Sequence, residues 1–282
     1  MHLLLEYILK PKKFNMRKEG IFLGFFIISV VLTSVWTKEN KMLATGEEGT
    51  PFANLEYVAR TSKENWQNVS LGADQSTFLK PRWPFFVSAH FLQKLNFDVI
   101  TIQRLMFMFI IFSSLVSAFW FFSFFLTSFN NKYWILFIIS LFYVINPFTS
   151  INIWNRFLYT LMFSLPLLPA TLSIFLQGIK TNRLYWSLLF PIPSLIFSTA
   201  YGSPAVSILI WISVIIIGLG SLIKNKNKFI KFSFYFFLCF IFWFIVNLWW
   251  IIPQFSFTKS LPSAYTTSAY NLNSFTAVSK SF

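Results

Sequence analysis

LMFMFIIFSSLVSAFWFFSFFLTSF, Leu105 to Phe129, holds no charged residue. At 1.5 Å per residue a helix of that length crosses the roughly 30 Å hydrocarbon core of a bilayer, with a little to spare. A chain read outward from this stretch repeats the pattern. Earlier comes Ile21 to Trp36, and later come Tyr133 to Phe148, Phe157 to about Leu176, Leu184 to about Tyr201, Ala205 to Ile223 and Phe232 to about Ile252. The composition agrees, with 56% hydrophobic, 21% aromatic and 11% charged residues. Such a balance lies outside that of soluble domains. Ten-residue segments of alternating polarity, the mark of a membrane barrel, are missing. The expected fold is therefore all-α, a polytopic transmembrane bundle of about seven spans, with a long first outer loop carrying amphipathic interfacial helices.

Five regions follow. Residues 1–20 form a basic segment, 21–36 the first span, 37–98 the first outer loop, 99–252 the main bundle and 253–282 a polar tail. The basic flank of Lys10, Lys12, Lys13, Arg17 and Lys18 favours a retained signal-anchor with a cytoplasmic N-terminus. Short-loop charge tests that orientation. Lys132, Lys180, Arg183, Lys224, Lys226, Lys228 and Lys231 fall in connections placed inside, and only Arg156 falls in a short connection placed outside. A multi-pass plasma-membrane protein is expected. The net charge of +14 then belongs to membrane surfaces and anionic lipids, not to nucleic acid. Cys239 is the only cysteine, so no disulfide framework exists. The third run meets Asn146-Pro147 and is expected to end early, tilted or re-entrant. Pro166 and Pro169, then Pro191 and Pro193, are expected to kink or end their helices. After Pro253 the chain turns polar and stops at Lys280-Ser281-Phe282, as a piece of a longer protein would.

Carboxylates are scarce. The acids are Glu6, Glu19, Glu39, Glu47, Glu48, Glu56, Glu64, Asp74 and Asp98, and none occurs from residue 99 to residue 282. Thr45-Gly46-Glu47-Glu48-Gly49-Thr50-Pro51-Phe52 puts two of them side by side just beyond the first span. Adjacent carboxylates repel, so one can keep a raised pKa and act as a general base, or the pair can hold a divalent cation; glycine flanks permit close approach of a ligand. The bland alternative is a solvated turn. No spacing resembles a dedicated cation loop, so no metal ligands are assigned and a cation remains open. Within the loop, Asn54 to Trp66 and Pro84 to Phe97 read as helices, the second with Phe85, Ala89, Leu92 and Leu95 on one face and His90, Gln93 and Lys94 opposite. Asn68-Val69-Ser70 is a glycosylation sequon. Trp154, Trp249 and Trp250 read as an aromatic belt, with a sugar platform as the alternative.

Three segments together carry a family resemblance. They are Gly46-Glu47-Glu48-Gly49-Thr50-Pro51-Phe52, Leu79-Lys80-Pro81-Arg82-Trp83-Pro84-Phe85-Phe86 and Ile102-Gln103-Arg104-Leu105. Their order, with a first helix before them and many spans after, resembles the membrane-embedded GT-C glycosyltransferases. It is most similar to the large arabinofuranosyltransferase family and related archaeal and bacterial membrane proteins. That resemblance implies a cell-envelope transferase that uses a polyprenyl-phosphate sugar donor and a glycan acceptor. Glu47 stands where the family motif has Asp and becomes the candidate base; Glu48, standing for Thr, is its candidate substitute. Arg104 and Arg156 are the leading candidates for the donor phosphate, with Arg82, Lys80 and His90 behind them. An arginine at a helix end can equally be a snorkelling anchor. The competing reading is a non-catalytic membrane subunit, transporter or flippase for a lipid-linked molecule.

Overall fold

The computed structural model describes residues 16–38, 41–43, 51–63, 66–67, 73–74, 80–126, 131–224 and 229–260. Glu47, Glu48, the sequon and the tail from residue 261 lie outside the described residues. The protein is an all-α polytopic bundle. Its long helices are α1 (Met16–Trp36), α4 (Val99–Ser123), α5 (Lys132–Val144), α6 (Tyr159–Thr181), α9 (Pro204–Lys224) and α10 (Phe229–Ser260). The loop after α1 contributes α2 (Leu55–Thr61) and α3 (Trp83–Lys94), and a broken segment between α6 and α9 contributes α7 (Tyr185–Leu189) and α8 (Ile192–Ile196). A short antiparallel ladder, β1 (Trp66–Gln67) with β2 (Ala73–Asp74), lies in the loop.

Contacts at the two ends show how the chain alternates. At the basic end, Lys180 at the close of α6 sits 5.8 Å from the ring of Phe124, just past α4. Asn182 and Arg183 share a cleft there with Ser221 of α9 and Lys231 of α10. At the opposite, loop-bearing end, Trp36 of α1 meets Trp154, and Tyr201 stacks on Trp250 of α10 at 4.7 Å. The chain thus runs from end to end seven times among the described residues. Six passes are helical stretches long and apolar enough to cross a membrane: Glu19–Trp36, Val99–Ser123, Lys132–Trp154, Tyr159–Thr181, Pro204–Ile223 and Phe229–Phe255.

The remaining pass is the run from Leu184 to Tyr201, which does not form one helix. Pro191 and Pro193 remove backbone donors, and the segment divides into α7, α8 and a 3-10 turn, Ser198–Gly202. Side chains hold the pieces together. Ser194 and Tyr201 share a hydroxyl bond of 2.8 Å, the Trp243 indole donates to Tyr201 Oη at 3.1 Å, and Ser198 Oγ donates to the Pro81 carbonyl at 2.6 Å. Buried polar groups need such partners because the membrane supplies no water.

Proline has a different outcome in α6, where the helix does not end and runs on through Pro166 and Pro169. Pro169 has no N–H for the carbonyl of Leu165, four residues back; Tyr143 Oη donates to that carbonyl instead, at 3.0 Å. At Asn146-Pro147 the third run does end early, with α5 closing at Val144, and a new helical turn then starts. Asn146 accepts from Thr149 N at 3.0 Å, while the Thr149 hydroxyl accepts from Asn146 N at 3.0 Å. This reciprocal cap opens a turn at Pro147–Thr149, followed by a π-helical turn at Ser150–Trp154. Likewise α10 continues through Pro253 to Ser260, past the point where polar composition suggested a tail.

The helices pack through small residues. On α1 and just past its end, Ser29, Thr33 and Thr37 bond back to the carbonyls of Phe25, Ser29 and Thr33 at 2.8 Å each, and all three are buried. On α4, Ser114 and Ser117 bond back to the Ile110 and Ser114 carbonyls at 2.7 and 3.1 Å, next to buried Ala118. Back-bonded hydroxyls let helix backbones approach without exposing a polar group. The outward face is apolar: Val31, Val35, Ile138, Phe142, Ile208 and Ile216 are all exposed, as lipid-facing residues are.

The outer loop is seated on the bundle by aromatic packing. Phe52, fully buried, lies 6.0 to 6.3 Å from the rings of Phe85, Phe86, Phe107 and Tyr159, and Phe85 meets Phe163 edge-on at 4.8 Å. Two helix boundaries differ from the sequence reading. The first loop helix closes at Thr61, where the Thr61 and Ser62 hydroxyls turn back onto Tyr57, Val58 and Ala59 carbonyls, so Trp66 falls in β1. The second starts at Trp83 and closes at Lys94, leaving Leu95 exposed.

Candidate functional site

At the loop-bearing end, the start of α4 fixes the chain that leaves α1. Asp98 caps α4, accepting from Ile100 N at 3.0 Å and Thr101 N at 2.9 Å. The Thr101 hydroxyl and these backbone donors hold the Asp98 carboxyl below its ordinary pKa. One turn on, buried Gln103 accepts from Leu43 N at 2.8 Å and donates to Leu43 O at 2.9 Å. Arg104 Nε donates to Thr37 Oγ1 at 2.8 Å and Nη2 lies 3.5 Å from Thr37 O. Leu43 and Phe52 are therefore both anchored, one on each side of the segment that contains Glu47 and Glu48.

Beside this clamp a groove of about 430 Å³ opens between α1, α4 and the turn after α5. Leu32, Trp36, Ile111, Val144, Trp154 and Phe157 form its walls, and Ser150 and Asn155 add polar groups. Two irregular backbone features meet there. Asn155 N donates five residues back to Ser150 O at 2.9 Å, closing the π turn. Phe157 has φ 48°, a left-handed conformation that a bulky side chain rarely adopts and that costs about 1–3 kcal/mol. Packing holds it, since Phe157 stacks on Phe107 at 5.6 Å and meets Trp36 edge-on at 5.4 Å. Strained backbone and π turns recur at functional sites. Arg156, exposed, lies between two residues that line the groove.

The other candidate cations are placed elsewhere on the loop. Lys80 Nζ donates to the Lys63 carbonyl and so joins the two halves of the loop. Arg82 is half-buried at the start of α3. His90 lies in a separate polar cleft of about 380 Å³ with Asn54, Glu56, Gln93 and Lys94, its Nδ1 3.4 Å from Gln93 Oε1. None of these five side chains lines the groove itself; Arg104 adjoins it through Thr37, next to Trp36, and Arg156 through its neighbours Asn155 and Phe157, while Lys80, Arg82 and His90 are not next to a lining residue in sequence.

Two of the three tryptophans read as a belt are buried inside the bundle, and Trp249 is half-buried. Trp154 and Trp250 are 7% and 3% exposed, and their indoles donate to Val144 O at 2.7 Å and Asn247 Oδ1 at 2.8 Å. Trp249 lies against Trp83 at 6.1 Å. A second groove of about 430 Å³, almost wholly apolar, lies between α9 and α10, walled by Ile208, Trp211, Phe240 and Trp243. Sequence reading missed both grooves. The signals available were faint: Asn146-Pro147 marked the first, and Pro204 the second. Among the described residues no three His, Cys, Asp or Glu side chains gather as a metal site would need. No protein-family model matches the chain, and no curated protein or solved structure is significantly similar to it.

Proposed function

We propose that this multi-pass membrane protein is a glycosyltransferase of the GT-C kind, which moves a sugar from a polyprenyl-phosphate donor to a glycan acceptor at its loop-bearing face. One observation carries the reading: an apolar groove with strained walls lies beside Arg104 and Arg156, next to the anchored flanks of a two-carboxylate segment. That combination suits an amphiphile. The prenyl chain occupies the groove, and the arginines meet the phosphate. Glu47, or Glu48 in its place, takes the proton from the acceptor hydroxyl as its oxygen attacks the anomeric carbon. The bond from that carbon to the phosphate oxygen breaks, the anomeric configuration inverts, and polyprenyl phosphate leaves with the bonding electrons. Arg104 and Arg156 stabilise the departing charge.

The test uses the full-length protein, purified and reconstituted, with a panel of polyprenyl-phosphate sugars. Glu47→Gln is expected to reduce transfer by about 10²-fold or more, the scale of a lost general base. Undiminished transfer in both Glu47→Gln and Glu48→Gln would end the catalytic assignment. A second reading, a non-catalytic carrier or flippase, draws on the apolar groove between α9 and α10. It predicts binding or translocation of the lipid-linked sugar without transfer, unchanged by either glutamine substitution.

A further inference from the structure

The basic end holds a cleft of about 280 Å³ where α6, α9 and α10 come together. Arg183 and Lys231 supply its charge, Asn182 and Ser221 supply neutral polar groups, and Leu222 and Phe232 supply apolar wall. Asn182 turns the chain here with φ 56°, a left-handed cap that ends α6 and brings Arg183 to the cleft.

Two cations this close need a counter-charge, and the chain supplies little. No Asp or Glu occurs anywhere from residue 99 onward, so α5 to α10 and their connections contain no carboxylate. Within the helices that form the cleft, helix ends are the remaining source of negative charge. The carbonyl ends of α6 and α9 each carry about half a negative charge, and the first turn of α10 opposes them with about half a positive charge. More than one net positive charge is left over. An anion from outside the chain is the natural complement.

The surroundings identify its kind. Ile223, Ile230 and Phe234, next to cleft residues in sequence or lining it, are 76%, 82% and 52% exposed, which is the exposure of side chains that face acyl chains. A ligand here meets cations and hydrocarbon together. We propose that this cleft binds the phosphate of an anionic phospholipid from the adjoining leaflet, with Arg183 and Lys231 on the phosphate and the acyl chains along Phe232 and Phe234. Basic pockets between membrane helices hold lipid headgroups by this means. The site lies at the end opposite the proposed transfer site and does not depend on that reading.

The test is lipid binding by the full chain in detergent, read by native mass spectrometry with phosphatidylglycerol, phosphatidylcholine and glycerol phosphate as probes. Phosphatidylglycerol is expected to bind at least tenfold more tightly than phosphatidylcholine. The double substitution Arg183→Gln with Lys231→Gln is expected to abolish that preference, whereas Lys132→Gln, at the same end but outside the cleft, retains it. Arg183→Lys, which keeps the charge, is expected to retain most of the binding that Arg183→Gln loses. Equal phosphatidylglycerol binding by the wild type and the double variant overturns the site. Glycerol phosphate binding as tightly as the lipid, with the same dependence on Arg183 and Lys231, overturns the lipid as its source.

Discussion

Gln103 and Arg104 look alike in sequence, two polar residues at the start of a membrane helix, yet the structure separates their roles. Gln103 is fully buried and uses both ends of its amide on Leu43, so it fixes the chain leading to the acidic segment. Arg104 is half-buried and holds Thr37 through one edge of its guanidinium, which has five N–H donors in all. Replacing Gln103 by Leu keeps the volume and strands the Leu43 N–H and carbonyl. The expected loss is about 1–3 kcal/mol for a buried unpaired group, measured as a lower thermal midpoint in detergent together with faster proteolysis between residues 37 and 63. An unchanged midpoint would show that these bonds are exchanged for water at no loss. The polar character of both residues was legible; their partners, some sixty positions away, were not.

At the scale of elements, proline has three different outcomes, each accompanied by a different set of side-chain hydrogen-bond partners. In α6 the helix survives because Tyr143 reaches the carbonyl that Pro169 leaves without its N–H. After α6 the helix divides, because Pro191 and Pro193 fall close together and hydroxyls and an indole stabilise the pieces. At Asn146-Pro147 a new helix begins, because Asn146 can cap it and proline suits a first turn. Tyr143→Phe removes a single oxygen and is expected to cost about 1 kcal/mol, the net value of one buried hydrogen bond. Unfolding in denaturant would detect it, and no change would mean that water or lipid polar groups satisfy Leu165. The loop helices depend on packing in a similar way. Phe52→Ala is expected to cost about 3–5 kcal/mol at a fully buried aromatic position. Protease cleavage would then rise in the loop and not in the bundle.

For the whole molecule, seven passes and the gathering of basic loops at one end predict the orientation of the chain. With Cys239→Ser as background, Lys63→Cys and Asn131→Cys report on opposite ends. An impermeant maleimide applied to intact cells is expected to label the first and to reach the second only after permeabilisation, as the positive-inside rule requires. Labelling of both from outside would refute the alternation of passes. Membrane class, pass positions and the segregation of charge were determined by the sequence alone, because run length and charge are properties of consecutive residues that the bilayer reads directly. The division of the run from Leu184 to Tyr201, the burial of Trp154 and Trp250, and the strained groove around Phe157 were decided only by tertiary structure. Each depends on which distant helix supplies the facing ring or hydrogen-bond donor, and that is set when the passes pack against one another.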